Sequence, residues 1–168
     1  LLKQGEAIFQ NTCATCHMTG LGGMTVKNDV PARLSWYLFE AVSQPRPDFA
    51  QARARMQEVC GNCHATGQVK SFYAQGDSVV AATNAKVAAS LALMDSLKAE
   101  GLLTAAPFDQ PIDFVAFDLW HYYGRTTKHG AFMGGADFAQ WHGNYELLAK
   151  SVELRAMAQE LRAAHRRR

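Results

Sequence analysis

The chain has 168 residues, 48% of them hydrophobic, and a formal net charge of only +2, with Lys and Arg numbering 17 against 15 for Asp and Glu. That size and apolar content suit one compact domain with a real core, and the near-neutral balance gives no ground for a nucleic-acid or other polyanion partner. No apolar run approaches the roughly 18 residues of a transmembrane helix, so no membrane span is expected.

In chain order, Leu2 to Asn11 reads as a short helix leading into Cys13-Ala14-Thr15-Cys16-His17, and Gly20, Gly22 and Gly23 then read as a loop. Pro31 is expected to start a helix through Leu34, Trp36, Leu38 and Phe39 that stops at Pro45 and Pro47. Asp48 has the side chain of an N-cap, and the helix it opens runs over Ala54 and Met56 into Cys60-Gly61-Asn62-Cys63-His64. After Gly67, Ser78 to Glu100 offers few breakers, and Val80, Val87, Leu91 and Met94 recur at spacings of seven, four and three, as on a long amphipathic helix. Gly101 suits its C-cap, and Pro107 and Pro111 mark the connection that follows.

Phe114 to Arg125 reads as an aromatic helix with Phe117, Trp120 and Tyr123 on a shared face. Gly130 and the pair Gly134-Gly135 read as a hinge-like loop before Asp137, which can cap a last helix running to about His165. Its stripe is Phe138, Trp141, Tyr145, Leu148 and Val152, with a neighbouring seam Leu154, Met157 and Leu161. Such a helix needs a partner, either the long helix of this chain or the same helix of another subunit. Alternating strand patterns are absent. The expected fold is therefore all-α, an irregular helical array ending in a long C-terminal helix. It is divided as a haem-attachment region over 1–67, the long and aromatic helices over 68–135, and the C-terminal helix over 136–168, within a single domain.

The two segments Cys13 to His17 and Cys60 to His64 use all four cysteines and share the C-x-x-C-H spacing. That spacing attaches a c-type haem: thiols three positions apart on one helical turn each form a thioether to a vinyl group, and the next imidazole reaches the iron. A Cys-rich zinc site, a disulfide or a redox dithiol would also use paired cysteines. None of these requires a histidine directly after each pair. The cofactors expected are two covalently bound haem c groups, with Cys13, Cys16, Cys60 and Cys63 as anchors and His17 and His64 as proximal iron ligands. The helical array would pack around them.

A second axial ligand makes an iron an electron carrier, and an open position lets a substrate bind. Of six histidines, His121, His129, His142 and His165 remain after the proximal pair. His121 lies among aromatics, His129 stands beside Gly130 where backbone can approach a haem plane, and His142 sits in the turn Trp141-His142-Gly143. These three are the candidate distal ligands, each with a core or surface role as its alternative. His165 belongs to an Arg-rich tail facing solvent. Met18, Met24 and Met133 are candidate sulfur ligands or packing against a haem edge. Arg33, Arg46 and Arg125 suit haem propionates or surface ion pairs. Arg162 with Arg166-Arg167-Arg168 forms either a docking patch for an acidic partner or a solvated helix end. No Ser-His-Asp set or phosphate-binding glycine loop is present, which argues against catalysis without haem. Covalent haem attachment takes place on the oxidising side of a bacterial membrane, which predicts a periplasmic location, and a start at Leu1 predicts removal of a signal peptide or longer N-terminal part.

The ordered segments Cys16-His17-Met18, Arg33-Leu34-Ser35-Trp36, Val59 to His64, Phe72-Tyr73, Gly130-Ala131-Phe132 and Asp137 through Gly143 resemble the C-terminal part of the hydroxylamine oxidoreductase-like multihaem cytochromes c. The resemblance spans nearly the whole chain. It implies a periplasmic trimer with many c-type haems, of which Cys13 to His17 and Cys60 to His64 would be the last two sites and serve electron transfer. The partners it implies are other multihaem cytochrome chains or subunits and a redox partner protein. Two departures stand out. Lys27-Asn28-Asp29 replaces a Thr-His-Asp whose histidine ligates a haem in that family. Phe138 and His142 occupy the region where oxidising members carry a crosslinking tyrosine, with Tyr145 offset. The departures favour a reductive or electron-carrying role. The alternatives are an enzyme with one open haem reducing nitrite, hydroxylamine or a similar small substrate, and a capping or repeating unit of an extended haem assembly.

Overall fold

The computed structural model describes residues 12–18, 30–133 and 135–167. The helix expected over Leu2 to Asn11, the Gly20 to Gly23 loop and Gly134 lie outside the described residues. The fold is all-α, and the chain forms two compact units, one from residues through Tyr37 together with Gln44–Tyr73, the other from Leu38–Ser43 and the residues from Ala74 onward.

The first unit opens on helix α1, Thr12–His17, which carries the first cysteine pair. A single 3-10 turn, Val30–Arg33, follows. The helix expected from Pro31 through Phe39 does not form. Strand β1, Trp36–Tyr37, instead pairs antiparallel with β2, Gln44–Pro45, and the amide of Arg46 continues the ladder to the Ser35 carbonyl at 2.9 Å. Side-chain packing and proline decide this. A residue before proline is pushed to extended backbone, as Gln44 is before Pro45. Trp36 sets its ring edge-on against Phe49 at 5.4 Å, and the Arg46 guanidinium lies 4.7 Å over the Tyr37 ring.

Helix α2, Phe49–Cys60, begins where Asp48 suggests, yet the Asp48 side chain caps no amide. Its carboxylate pairs with Arg55 at 3.0 Å and Arg46 at 3.6 Å, tying the helix start to the preceding loop. Helix α3, Thr66–Ala99, starts well before the expected Ser78, with Gly67 and Gly76 inside it. In the second unit its buried residues are Val80, Thr83, Val87, Ser90, Met94 and Leu97, alternating by three and four along one face. Gly101 ends it at φ 69°, with amides of Gly101 and Leu102 bonded back to Lys98 and Leu97, so the glycine does close this helix in the left-handed conformation.

Helix α4, Pro111–Phe117, runs into a π-helical segment Asp118–Gly124 and on into α5, Arg125–Met133. Gly130 is therefore inside a helix and not in a hinge. The break falls at Gly135, with φ 83°, which starts α6, Gly135–Ala139, ahead of the expected Asp137. A second π-helical segment, Gln140–Asn144, leads into α7, Tyr145–Arg166. The unit's core joins Val87, Met94 and Leu97 to Ile112, Val115, Leu119, Leu147, Leu154 and Ala158, with Met157 and Leu161 packed against it. Full burial of each such leucine contributes about 2 kcal/mol. The long helix of the same chain thus partners the Leu154, Met157, Leu161 seam. The stripe Phe138, Trp141, Tyr145, Leu148, Val152 faces away from that core and is exposed along its length.

Candidate functional site

Both cysteine motifs lie in the first unit, the first within a short helix and the second at a helix end. The first lies on α1, with the Met18 amide bonded to the Ala14 carbonyl at 2.8 Å. Arg33 is 4% exposed and donates from its guanidinium to the Cys16 carbonyl at 2.7 Å, so this arginine braces the motif from beneath. Burial, and secondarily the Arg33 charge, hold the His17 imidazole below its ordinary pKa. A neutral imidazole is the form that can ligate iron. The buried Nδ1 of His17 has no hydrogen-bond partner.

In the second motif Cys60 ends α2, and its carbonyl accepts from the Cys63 amide at 3.1 Å and the His64 amide at 3.0 Å. Asn62 folds its side chain back onto the carbonyls of Glu58 and Val59 at 3.0 and 3.1 Å, capping the helix end. Cys60, Cys63 and His64 therefore share one tight turn, with Cys63 and His64 exposed. The helices that carry the two motifs, α1 and α2, pack against each other; burial pushes the Cys60 thiol up, and the Cys16 thiol pushes it further. None of Cys16, Cys60 and Cys63 is in a disulfide. Among the described residues no group of three or more His, Cys, Asp or Glu is set to hold a metal ion. The donor chemistry fits haem: paired thiols on one turn, each followed by an imidazole, one of them held neutral.

The candidate distal histidines all lie in the second unit. Nδ1 of His129 is 2.8 Å from the Arg125 carbonyl; a carbonyl only accepts, so Nδ1 carries the proton and Nε2 is left as the basic nitrogen. Burial keeps this imidazole below its ordinary pKa, against the Arg125 carbonyl bond and with help from the Arg125 and Lys128 charges. His121 is arranged differently. Its Nε2 accepts from the Arg125 guanidinium at 2.7 Å, its ring stacks on Phe117 at 4.4 Å, and its buried Nδ1 has no partner. His142 is exposed, with its ring tilted against Phe138 at 5.0 Å.

Three expectations change. Gly130 does not open its backbone toward a planar group: a β-carbon there would stand 3.2 Å from the Ala139 backbone and from Phe138. Arg46 is committed to Asp48 and Tyr37, whereas Arg125 faces two imidazoles. Arg162 is held within the chain by Glu100 at 2.8 Å and Ser96 at 2.9 Å, which removes it from a docking tail. His165 is exposed as expected.

Sequence reasoning missed Lys128. It is 0% exposed, and its ammonium donates to the carbonyls of Glu40 at 2.8 Å and Ala41 at 3.0 Å. Burial and the Arg125 charge, against the opposing Glu40, bring its pKa down to about 8. A lysine in a polar run beside a histidine gives no sequence signal of such burial, because its partners are backbone carbonyls far away in the chain.

Residues 1–44 match a family model described as cytochrome c oxidase, cbb3-type, subunit III, a segment that includes the first C-x-x-C-H motif. No curated protein matches the chain. Its fold is similar to that of a hypothetical multiheme protein, with a TM-score of 0.81 at 18% identity, over 91% of this chain and 45% of that one. It is also similar to a chain of the Kuenenia stuttgartiensis reducing HAO-like protein complex, with a TM-score of 0.76 at 16% identity, over 91% of this chain and 46% of that one. The chain spans less than half the length of either. The class that the comparisons define is a helical chain with the fold of multihaem proteins, whose first C-x-x-C-H motif lies in a segment matching a cytochrome c family model. More particularly, the fold is one found in an HAO-like complex, in line with the resemblance that the ordered motifs carry.

Proposed function

We propose that the chain is a periplasmic dihaem c-type electron-transfer module of a hydroxylamine oxidoreductase-like multihaem assembly, working as a single dihaem domain in nitrogen-compound redox metabolism. What supports it is the packing of the two motif-bearing helices, α1 and α2, against each other in one unit. Cys13 and Cys16 with His17, and Cys60 and Cys63 with His64, would hold the two haems; the irons supply one-electron transfer. What the chain adds is placement. Covalent anchors fix the haems close together, Arg33 braces the first motif, and His129 offers a preset basic nitrogen as a distal ligand. Partners are other multihaem chains or subunits, in a trimer by resemblance, together with a redox partner protein. No helix among the described residues is long and apolar enough to cross a membrane.

The test is denaturing mass analysis with electron paramagnetic resonance of the purified chain. Polypeptide plus two haem masses and two low-spin irons support the carrier. Bare polypeptide mass, or zinc in place of iron, overturns it.

A second reading, one open haem reducing nitrite, hydroxylamine or a similar small substrate, draws on His121. Its Nε2 is taken by Arg125, so His129 alone of that pair offers its Nε2. A high-spin iron signal that shifts on adding nitrite or hydroxylamine supports this reading, and its absence refutes it.

A further inference from the structure

The segment Leu38–Ser43 is tied into the second unit by two clamps. Asn84 on α3 grips Ser43 at both ends of its backbone: the Ser43 amide donates to Oδ1 at 2.9 Å and the Ser43 carbonyl accepts from Nδ2 at 2.8 Å. Lys128 on α5 takes the carbonyls of Glu40 and Ala41. A fully buried ammonium is costly to desolvate, and these two bonds are what compensate it. The clamps fix Phe39, a residue that a free loop would leave swinging in solvent. Its ring, 66% exposed, stands 4.6 Å from the His129 imidazole at 64°, and the Arg125 guanidinium lies 4.6 Å over it. Arg125 is also the residue whose carbonyl accepts the hydrogen bond from His129 Nδ1.

His129 is thus restrained twice. The Arg125 carbonyl sets which nitrogen is protonated, and the Phe39 ring packs edge-on against the imidazole. We propose that the Leu38–Ser43 strap is a positioning element for His129, with Phe39 as the positioning residue that fixes the plane of the imidazole offered to an iron. The inference rests on the reading of His129 as a distal haem ligand. Groups around a ligating histidine orient it and tune the metal. The plane of a ligating imidazole shapes the g-anisotropy of a low-spin ferric haem, and its surroundings tune the metal, so an unlocked ring is visible spectroscopically.

The experiment compares the haem-loaded full chain with Phe39→Ala, Phe39→Tyr, Asn84→Ala and His129→Gly by electron paramagnetic resonance and redox titration. Phe39 is exposed, so its replacement does not threaten folding. The expected result is that F39A and N84A broaden or shift one low-spin signal and displace the midpoint of one haem, that F39Y restores both, and that H129G abolishes that same signal. If F39A and N84A leave the g-values and midpoints unchanged while H129G removes the signal, the ligand reading stands and the positioning role is overturned. If H129G alters no low-spin signal, His129 is not a ligand and the strap has no ring to position.

Discussion

Gly143 lies against Thr127 so closely that a β-carbon added to it would stand 2.5 Å from Oγ1 and 2.7 Å from the backbone nitrogen of Thr127. Thr127 cannot move aside, because it is 2% exposed and its hydroxyl donates to the Tyr123 carbonyl at 2.8 Å. Gly143→Ala therefore has to separate two backbones. The expected destabilisation is about 2 to 3 kcal/mol, the range of overpacking in a closed core. Urea titration followed by circular dichroism measures it, and a change below about 0.5 kcal/mol would show that the helices slide apart freely.

Lys128→Met tests the strap's other anchor. Methionine keeps the volume and removes the donor, leaving the Glu40 and Ala41 carbonyls unpartnered inside the protein; the expected loss is about 2 kcal/mol. The pH dependence has a definite sign. The folded chain holds this amine at about 8 and the unfolded chain near its ordinary 10.5, so between those values the unfolded state binds more protons. Stability relative to K128M should then rise with pH across that window and stay level below it. A difference that stays flat between pH 8 and 10 would place the amine in solvent.

Leu147 and Leu148 are neighbours on α7 with opposite surroundings, the first 0% and the second 51% exposed. Leu147→Ala opens a cavity in the core shared by α3, α4 and α7 and should cost about 2 to 5 kcal/mol. Leu148→Ala removes a side chain already half in water and should change the stability of the isolated chain by less than about 1 kcal/mol. Thermal unfolding of the two variants checks the contrast. Equal losses would mean that the outer stripe is covered in solution.

The all-α class, the run of α3 through Met94 and Leu97 and its Gly101 stop were legible, because heptad-like spacing and a left-handed glycine are local signals. The extent of helix was not. Gly67 and Gly130 read as breakers, yet both lie inside helices; at Gly130 the neighbouring Ala139 occupies the missing side chain's place. The stripe from Phe138 to Val152 looked inward by periodicity alone; packing selected the adjacent face through Leu147, Ser151, Leu154 and Ala158. The cysteine motifs were legible as chemistry from their spacing. The pairing of His129 with the Arg125 carbonyl, the capture of His121 by the Arg125 side chain, and the Lys128 and Asn84 clamps were not, since each depends on which rotamer the finished fold allows.

The two motifs differ in support, and that difference is testable on the haems themselves. The first is braced by the buried Arg33 through the Cys16 carbonyl, whereas the second is an exposed turn held by its own backbone and Asn62. In the dihaem reading, replacing Cys60 and Cys63 together by serine removes both thioether bonds of one haem and leaves the other attached. Denaturing mass analysis should show one haem mass lost and haem absorbance per polypeptide falling by half. Arg33→Leu keeps all four cysteines and both haem masses, but it strips the Cys16 carbonyl of its donor and removes the charge that lowers the His17 pKa. Its effect should fall on the first haem alone, read as a shift of one midpoint in a redox titration with the other unmoved. Equal shifts of both midpoints would mean that Arg33 acts through the fold as a whole and not through the motif it touches.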